Sequence, residues 1–309
     1  MDSTGERRGP IRPRAGEAPQ PGHLKGGHDA RARAAIECGG GVWGRSGAAP
    51  PQSQLTPGRV TRLGSVTRER MQRAPGRSAE VHSVFERAIN LLWSDGRLLT
   101  LQGPGRLGAP FAVALSRLPE GGAVAPGMRL DPAAFDWGAA ETVDVHMPPG
   151  PLGFPVDALM CPPVGASIAT PARALERALA SRDGGAVVAA ARGLIGLGEG
   201  LTPAGDDCLV GALAVLHRLA PGWLSEDSRV TEALAGAART RTTDIARDFL
   251  LEALAGRFAE SVLAVVTAGS VLSAKLAAER LARVGATSGA DTLGGIRLAC
   301  RALELGSGA

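Results

Sequence analysis

Two adjacent carboxylates, Asp206 and Asp207, end a glycine-rich stretch, GLIGLGEGLTPAGDD, that runs directly into the apolar sequence CLVGALAVLHRL. Amide groups at a helix start lack intrahelical partners and lie at the positive end of the helix dipole, so a glycine-rich loop there can bind an anion. The neighbouring carboxylates could then act as a general base or as ligands of a divalent cation. The alternative is structural, because an Asp at a helix start accepts backbone N–H groups and stabilises the helix by about 1 kcal/mol.

The same pattern occurs a second time further along the chain. The stretches GDDCLVG at 205–211 and GADTLGG at 289–295 both fit G-x-D-x-L-x-G, and each follows a loop with hydroxyl side chains. In the structural interpretation, the last glycine of each, Gly211 and Gly295, would let two helices pack closely. Helix capping explains one Asp in each loop but not the repetition or the second carboxylate, so the sequence favours a binding site. Neither a P-loop nor a dinucleotide-binding turn has this spacing.

A second polar segment, RTRTTDIARDF, lies between the two repeats. Arg239 and Arg241 stand just before a predicted helix start, and a guanidinium binds phosphate or carboxylate in bidentate fashion. In the structural interpretation, Thr242 or Thr243 is only the cap of that helix.

His82, in the stretch VHSVFER, could act as a general base with Ser83 or Glu86 beside it, or it could be a structural residue of a β domain. We predict Asp206, Asp207 and His82 as the catalytic residues. The predicted substrate- and anion-binding residues are Gly198, Gly200, Thr202, Gly205, Arg239, Arg241, Thr242, Thr243, Ser288, Gly289 and Asp291.

The elements that must position these residues change character along the chain. INLLW and RLLTLQ flank Ser94-Asp95-Gly96, which is a strong hairpin signal, and PFAVAL and ETVDVHM have the composition of further strands. After a connector rich in proline and glycine, eight stretches of helical length and Ala/Leu composition follow. The predicted fold class is α+β. A small, mainly antiparallel β-rich domain spans 76–165, and an all-helical domain with the glycine–aspartate loops spans 166–309.

The first 75 residues differ from the rest. They are rich in Gly, Pro, Arg and Ala without a hydrophobic period, which predicts a disordered extension over 1–75; a start placed too far upstream of Met71 is the alternative. Residues 1–70 hold 12 Lys and Arg against 6 Asp and Glu, so the remainder is nearly neutral although the whole chain carries +4. With few aromatic residues and no basic stripe, nucleic-acid binding is not expected.

The spacing of the cysteines and the hydropathy of the chain indicate the cellular compartment of the protein. The four cysteines are far apart, without a C-x-x-C pair, which predicts neither a disulfide framework nor a structural zinc site. No apolar run has the length of a membrane span, so membrane attachment is not expected. We predict a cytoplasmic location.

Four stretches, in order and spacing, resemble the AllH-type subunit of oxamate carbamoyltransferase: VHSVFERAINL, GLGEGLTPAGDDCLVG, RTTDIARDFL and GATSGADTLGG. The resemblance implies a complex with AllF- and AllG-type partners in allantoin and purine breakdown. That complex interconverts oxalurate and phosphate with oxamate and carbamoyl phosphate, and it needs no redox cofactor. A divalent cation on Asp206 and Asp207 stays open. The chain departs from the family pattern at Ala204, where Ser is usual, and at Cys208, where an aromatic residue is common.

Two other functions stay open. The chain could be a non-catalytic scaffold subunit, whose loops only cap helices and pack against partners. It could also be a stand-alone, metal-dependent enzyme that acts on a small amide or carboxylic acid.

Overall fold

The computed structural model describes residues 58–73, 78–119, 123–132, 135–159, 164–226 and 228–306. Strands come first along the chain and helices dominate the second half. The strands are β1 (Val60–Gly64), β2 (Ala79–Val84), β3 (Ala88–Leu92), β4 (Leu98–Gln102), β5 (Ala112–Leu115), β6 (Arg129–Leu130) and β7 (Glu141–Val143). The helices are α1 (Ser65–Arg73), α2 (Ala169–Ala180), α3 (Gly184–Leu194), α4 (Ala204–Leu219), α5 (Pro221–Glu226), α6 (Ser228–Arg241), α7 (Asp244–Leu254), α8 (Glu260–Val266), α9 (Val271–Ala282) and α10 (Ser288–Gly306).

The strands form one sheet in the order β6-β2-β3-β4-β5-β1-β7. Pairing is antiparallel except between β4 and β5 and between β1 and β7. The predicted hairpin joins β3 to β4: the Trp93 N–H donates to the Arg97 carbonyl at 2.9 Å, and Gly96 turns the chain with a φ of +76°. The predicted α+β class, a mainly antiparallel sheet followed by helices, is confirmed.

The folded part begins earlier than predicted. β1 and α1 lie inside the predicted extension of residues 1–75, and β1 pairs with both β5 and β7. The predicted disorder is therefore wrong for residues 58–73, whereas the alternative of a start near Met71 stays a prediction. The stretch VTRLG has only two large apolar side chains, so its burial depends on distant strands that no local pattern reveals. Residues 1–57 lie outside the described residues, and the disorder predicted there stays a prediction.

Helix α7 lies between the sheet and the other helices. The sheet face that carries Phe111 packs against α7, with the rings of Phe111 and Phe249 centred 5.2 Å apart in an edge-to-face arrangement. Phe249 also contacts the core formed by the helices. The opposite sheet face has its own core, which includes Leu91, Leu101 and Val113.

Buried ion pairs hold α7 in this position. Asp248 and Glu252 are both 0% exposed. The Leu98 N–H donates to Asp248 Oδ2 at 2.5 Å, while Arg70 Nη2 and Arg257 Nε lie 3.0 and 2.5 Å from the Glu252 carboxylate. Because a buried carboxylate is stable only when it is paired, these contacts fix the helix against β4 and α1.

The two helices that carry the repeated motif, α4 and α10, cross at their glycines. A Cβ atom at Gly211 would lie 2.0 Å from the Thr292 carbonyl oxygen, and one at Gly295 would lie 1.9 Å from the Cys208 carbonyl oxygen. Cys208 and Thr292 occupy equivalent positions of the repeat, so the two contacts are equivalent and the crossing is symmetric.

The helix starts are equivalent too. A Cβ atom at Gly205 would lie 2.1 Å from the carbonyl oxygen of Leu194, the last residue of α3, and one at Gly289 would lie 1.7 Å from that of Leu281 in α9. Each glycine amide also donates to a carbonyl of the preceding loop. The sequence repeat is therefore a structural repeat of two helix–loop–helix units, α3–α4 and α9–α10.

Candidate functional site

Asp206 joins three segments of the chain. Its side chain is 1% exposed, the Gly196 N–H lies 3.1 and 3.2 Å from the two carboxylate oxygens, and Thr242 Oγ1 donates to Oδ2 at 2.5 Å. It does not cap its own helix, because Pro203 is the N-cap residue of α4 and no side chain caps it. Burial raises the pKa of Asp206 to about 6, although the donors from Thr242 and Gly196 act in the opposite direction. Asp206 therefore positions the loop.

Asp207 is the carboxyl group with an unused acceptor. It is 7% exposed, and its Oδ2 has no hydrogen-bond partner among the described residues. Burial raises the pKa of Asp207 to about 8; the charge of Asp291 raises it further, while the hydroxyls of Ser288 and Thr202 lower it. An ionised carboxylate would be costly here without a partner, so Asp207 is protonated at neutral pH unless a ligand supplies a donor.

Asp291 is the equivalent of Asp207 in the second repeat. It is 8% exposed, and burial raises its pKa although the Thr287 hydroxyl lowers it. The cluster around Asp207 thus combines two buried carboxyl groups with hydroxyls from both repeats. Carboxyl groups with raised pKa values can hold and transfer protons near neutral pH.

The predicted glycine loop is exposed and turns sharply. Gly198 and Gly200 have φ values of +124° and +88°, a region that side chains rarely adopt. Thr243 is the N-cap of α7 and accepts from the Ala246 N–H at 3.1 Å, so its capping interpretation is confirmed. Thr243 Oγ1 also donates to the Leu201 carbonyl in the loop, which ties the loop to the start of α7.

Arg239 and Arg241 lie in the last turn of α6. Both are exposed, and neither guanidinium has a hydrogen bond or ion pair with another described residue. The backbone of Arg241 lies against the glycine loop, since a Cβ at Gly196 would be 2.0 Å from the Arg241 carbonyl oxygen. The structure thus places this segment beside the loop and leaves both guanidinium groups available.

His82 contacts neither of the predicted catalytic aspartates. Its Nε2 lies 3.3 Å from Asp244 Oδ2 and its Nδ1 lies 3.1 Å from Ser83 Oγ. Of the two predicted neighbours, Ser83 is a partner, whereas no hydrogen bond or ion pair joins His82 to Glu86 in the described structure. Sequence reasoning missed Asp244, because an acid in the first turn of a helix is ordinary for its dipole.

Replacing Thr242 with valine is expected to lower the free energy of unfolding by roughly 1–3 kcal/mol, because a buried carboxylate loses a donor. With a folded pKa of about 6, Asp206 is protonated at pH 4 and becomes ionised above pH 6. Because the Thr242 hydroxyl stabilises the ionised carboxylate, the loss of stability in the variant should be larger above pH 6 than at pH 4. Urea unfolding at both pH values measures it.

The matched control is Thr240→Val, whose hydroxyl bonds only to carbonyls of its own helix. Equal losses in both variants, or a Thr242→Val loss without pH dependence, would contradict the role assigned to Asp206.

The cation site predicted on Asp206 and Asp207 stays a prediction. Within the residues that the structure describes, no group of three or more His, Cys, Asp or Glu side chains is arranged to hold a metal ion. No helix in the same set of residues is long and apolar enough to cross a membrane.

Comparison with known proteins defines the family in two steps. Residues 60–132, which hold most of the sheet and His82, match a model described as the AllH family N-terminal domain. Residues 194–300, which hold both glycine–aspartate loops, match a model described as oxamate carbamoyltransferase subunit AllH. Together the two matches cover more than half of the chain, and the chain belongs to the AllH family. Searches among curated proteins and among solved structures found no significant match.

Proposed function

We propose that this chain is a subunit of an oxamate carbamoyltransferase and that the cluster around Asp207 takes part in carbamoyl transfer. Family membership supports the first half of the proposal. The second half rests on one observation: Asp207 is buried between two equivalent helix starts and keeps Oδ2 without a partner.

The chemistry requires a proton at the leaving nitrogen. A phosphate oxygen attacks the carbamoyl carbon of oxalurate, and the bond from that carbon to the oxamate nitrogen breaks. The nitrogen keeps the electron pair and must be protonated, because an amide anion is a poor leaving group. A carboxyl group with a pKa of about 8, such as Asp207, is protonated at pH 7 and can donate that proton. The phosphate hydroxyl loses its proton in the same reaction and restores Asp207.

The electrostatics of the Asp207 cluster fit anionic substrates. Phosphate, oxalurate, oxamate and carbamoyl phosphate all carry negative charge, which ionised carboxylates would repel. A raised pKa keeps Asp207 neutral, so its carboxyl group does not repel these substrates and can donate a hydrogen bond to them. Arg239 and Arg241 are the nearby cations that we assign to substrate capture.

The proposal includes the setting of the reaction. AllF- and AllG-like subunits complete the complex, which works in the cytoplasm during allantoin and purine breakdown. The transfer needs no redox cofactor, and none of the steps above is routed through a divalent cation.

Reconstitution tests this function. The chain, purified alone and with its AllF- and AllG-like partners, is incubated with oxalurate and phosphate, and carbamoyl phosphate is measured as ATP formed by added carbamate kinase and ADP. We expect carbamoyl phosphate only from the assembled complex. An assembled complex without this activity would contradict the proposal.

Calorimetry with oxamate and with carbamoyl phosphate separates a catalytic from a scaffold role. We expect binding heat that disappears in Asp207→Asn. Unchanged heat in that variant would assign the binding site to a partner subunit and leave this chain as a scaffold. Activity that a chelator abolishes and one divalent metal restores would instead favour the metal-dependent enzyme.

A further inference from the structure

A continuous chain of hydrogen bonds crosses three strands of the sheet and ends at α7. Thr100 Oγ1 donates to Asn90 Oδ1 at 2.7 Å, and Asn90 Nδ2 donates to Ser83 Oγ at 3.1 Å. Ser83 Oγ lies 3.1 Å from His82 Nδ1, and His82 Nε2 lies 3.3 Å from Asp244 Oδ2. None of these residues belongs to the cluster around Asp207.

An irregularity in the backbone brings His82 and Ser83 side by side. Successive side chains of a regular strand point to opposite faces, so neighbours do not normally bond to each other. The pairing of β2 with β3 shifts here: Val81 pairs with Leu91 but Ser83 pairs with Asn90, which makes His82 the extra residue of a β-bulge. Bulges redirect side chains and are frequent beside active sites.

The hydrogen-bond partners of His82 determine which atom donates in each bond of this chain. A neutral imidazole that faces a carboxylate with Nε2 carries its proton there, which makes Nδ1 an acceptor. Ser83 must then donate its hydroxyl proton to His82, and its oxygen is free to accept from Asn90, as observed. The hydrogen bond from His82, followed by the charge of Arg247, lowers the pKa of Asp244, which keeps the carboxylate ionised.

We propose that Ser83, His82 and Asp244 form a second catalytic site, in which Ser83 is a nucleophile that is acylated by esters of small carboxylic acids. Ser83 Oγ attacks the ester carbonyl carbon and its proton passes to His82 Nδ1. The carbon–oxygen bond to the alcohol breaks, and His82 returns the proton to the departing alkoxide. Water then hydrolyses the acyl-serine, which restores Ser83 and releases the acid.

The exposure of Ser83 and His82 and the position of Phe85 favour esters of small carboxylic acids as substrates. Ser83 and His82 are both partly exposed, so a small ester can reach them. Phe85 follows at the end of β2 and is 42% exposed, which provides an apolar contact for an acyl group. Asp244 is a positioning residue, since it holds His82 and does not touch the ester.

Docking of the sheet on α7 does not by itself require the bond between Ser83 and His82. A contact that only docks the sheet on α7 would be complete with His82 and Asp244. The bulge turns Ser83 toward His82, and the Asn90 amide, 5% exposed, donates to the Ser83 oxygen. Together they orient the Ser83 hydroxyl toward His82, the arrangement that a serine nucleophile needs.

A fluorophosphonate probe tests the proposal on the full chain without any partner, so the outcome is independent of the carbamoyltransferase assay. We expect one label per chain, located on Ser83 by peptide mass spectrometry, and a burst of about one equivalent of nitrophenol with 4-nitrophenyl acetate. Ser83→Ala should abolish the label, and His82→Gln should slow labelling at least roughly 100-fold. Asp244→Asn should slow it as well, because His82 loses its orientation.

Ser94→Ala is the matched control, since Ser94 is exposed in the β3–β4 turn and should not alter labelling. Melting temperatures of all variants are compared in parallel. The proposal is overturned if the wild-type chain takes no label, if the label is on another residue, or if His82→Gln changes the melting temperature but not the labelling rate.

Discussion

Asp207→Asn is expected to lower the carbamoyl-transfer rate of the assembled complex by a factor of roughly 10² to 10⁴, the usual contribution of a general acid or base. Asparagine keeps the shape of the side chain but cannot release a proton to the leaving nitrogen. The coupled assay for carbamoyl phosphate measures the effect.

The matched control is Glu199→Gln, which removes one carboxylate from the same glycine loop at an exposed position. It should keep a rate within about twofold of the unchanged complex. If Asp207→Asn is as active as Glu199→Gln in a complex of unchanged composition, Asp207 is not the proton donor.

The same Asp207→Asn variant should be more stable than the original chain at alkaline pH. The folded pKa of Asp207, about 8, lies above its ordinary value of 3.8, so the folded state holds a proton that the unfolded state has lost between these pH values. The contribution of Asp207 to the free energy of unfolding is therefore fully present below pH 4 and is lost as the pH rises toward 8. Asparagine carries no such proton, so the difference in melting temperature between the two chains should grow from pH 4 to pH 8. A difference independent of pH would contradict the raised pKa.

Gly211→Ala is expected to lower the free energy of unfolding by about 3 kcal/mol or more, because the new methyl group would lie 2.0 Å from a backbone carbonyl oxygen. The carbonyl of Thr292 belongs to a helix and cannot rotate away, so α4 and α10 must separate. For a chain of this size the melting temperature should fall by roughly 6–12 °C. Gly295→Ala should have a similar effect, since its contact with Cys208 is the equivalent one.

Gly236→Ala is the control for this experiment. Gly236 lies within α6, and a Cβ there would meet no atom within 4 Å. Alanine should raise the free energy of unfolding by about 0.5–1 kcal/mol, because it is the better helix former. Equal effects of Gly211→Ala and Gly236→Ala would mean that α4 and α10 do not pack as closely as described.

Local sequence patterns were sufficient to predict features whose geometry is set by residues close together in the chain. The Asp-Gly turn predicted the β3–β4 hairpin, and the repeated glycines indicated close helix packing, because both signals depend on backbone geometry; that the packed pair is α4 and α10 came from the structure. β1 was missed for the opposite reason. Its burial comes from β5 and β7, which are remote in sequence.

Within the site, residue type was predictable but role was not. Asp206 and Asp207 are neighbours of the same type, yet one has its oxygens engaged by Gly196 and Thr242 and the other keeps an unused oxygen. Thr242 is 36 residues away from Asp206 in sequence, so only the folded chain reveals that bond. The partnership of His82 with Asp244 likewise depends on how the sheet lies on α7.

The start of helix α7 is bonded to two other parts of the chain. Thr242, directly before the N-cap residue Thr243, donates to Asp206 of the glycine loop, and two residues later Asp244 bonds to His82 of the sheet. Its far end is anchored by Glu252, which is 0% exposed among arginines. Asp248, in the middle of the helix, accepts from the Leu98 N–H of the sheet, so α7 is held along its length. The glycine loop and the sheet are therefore attached to each other through two side chains that are only two residues apart, Thr242 and Asp244.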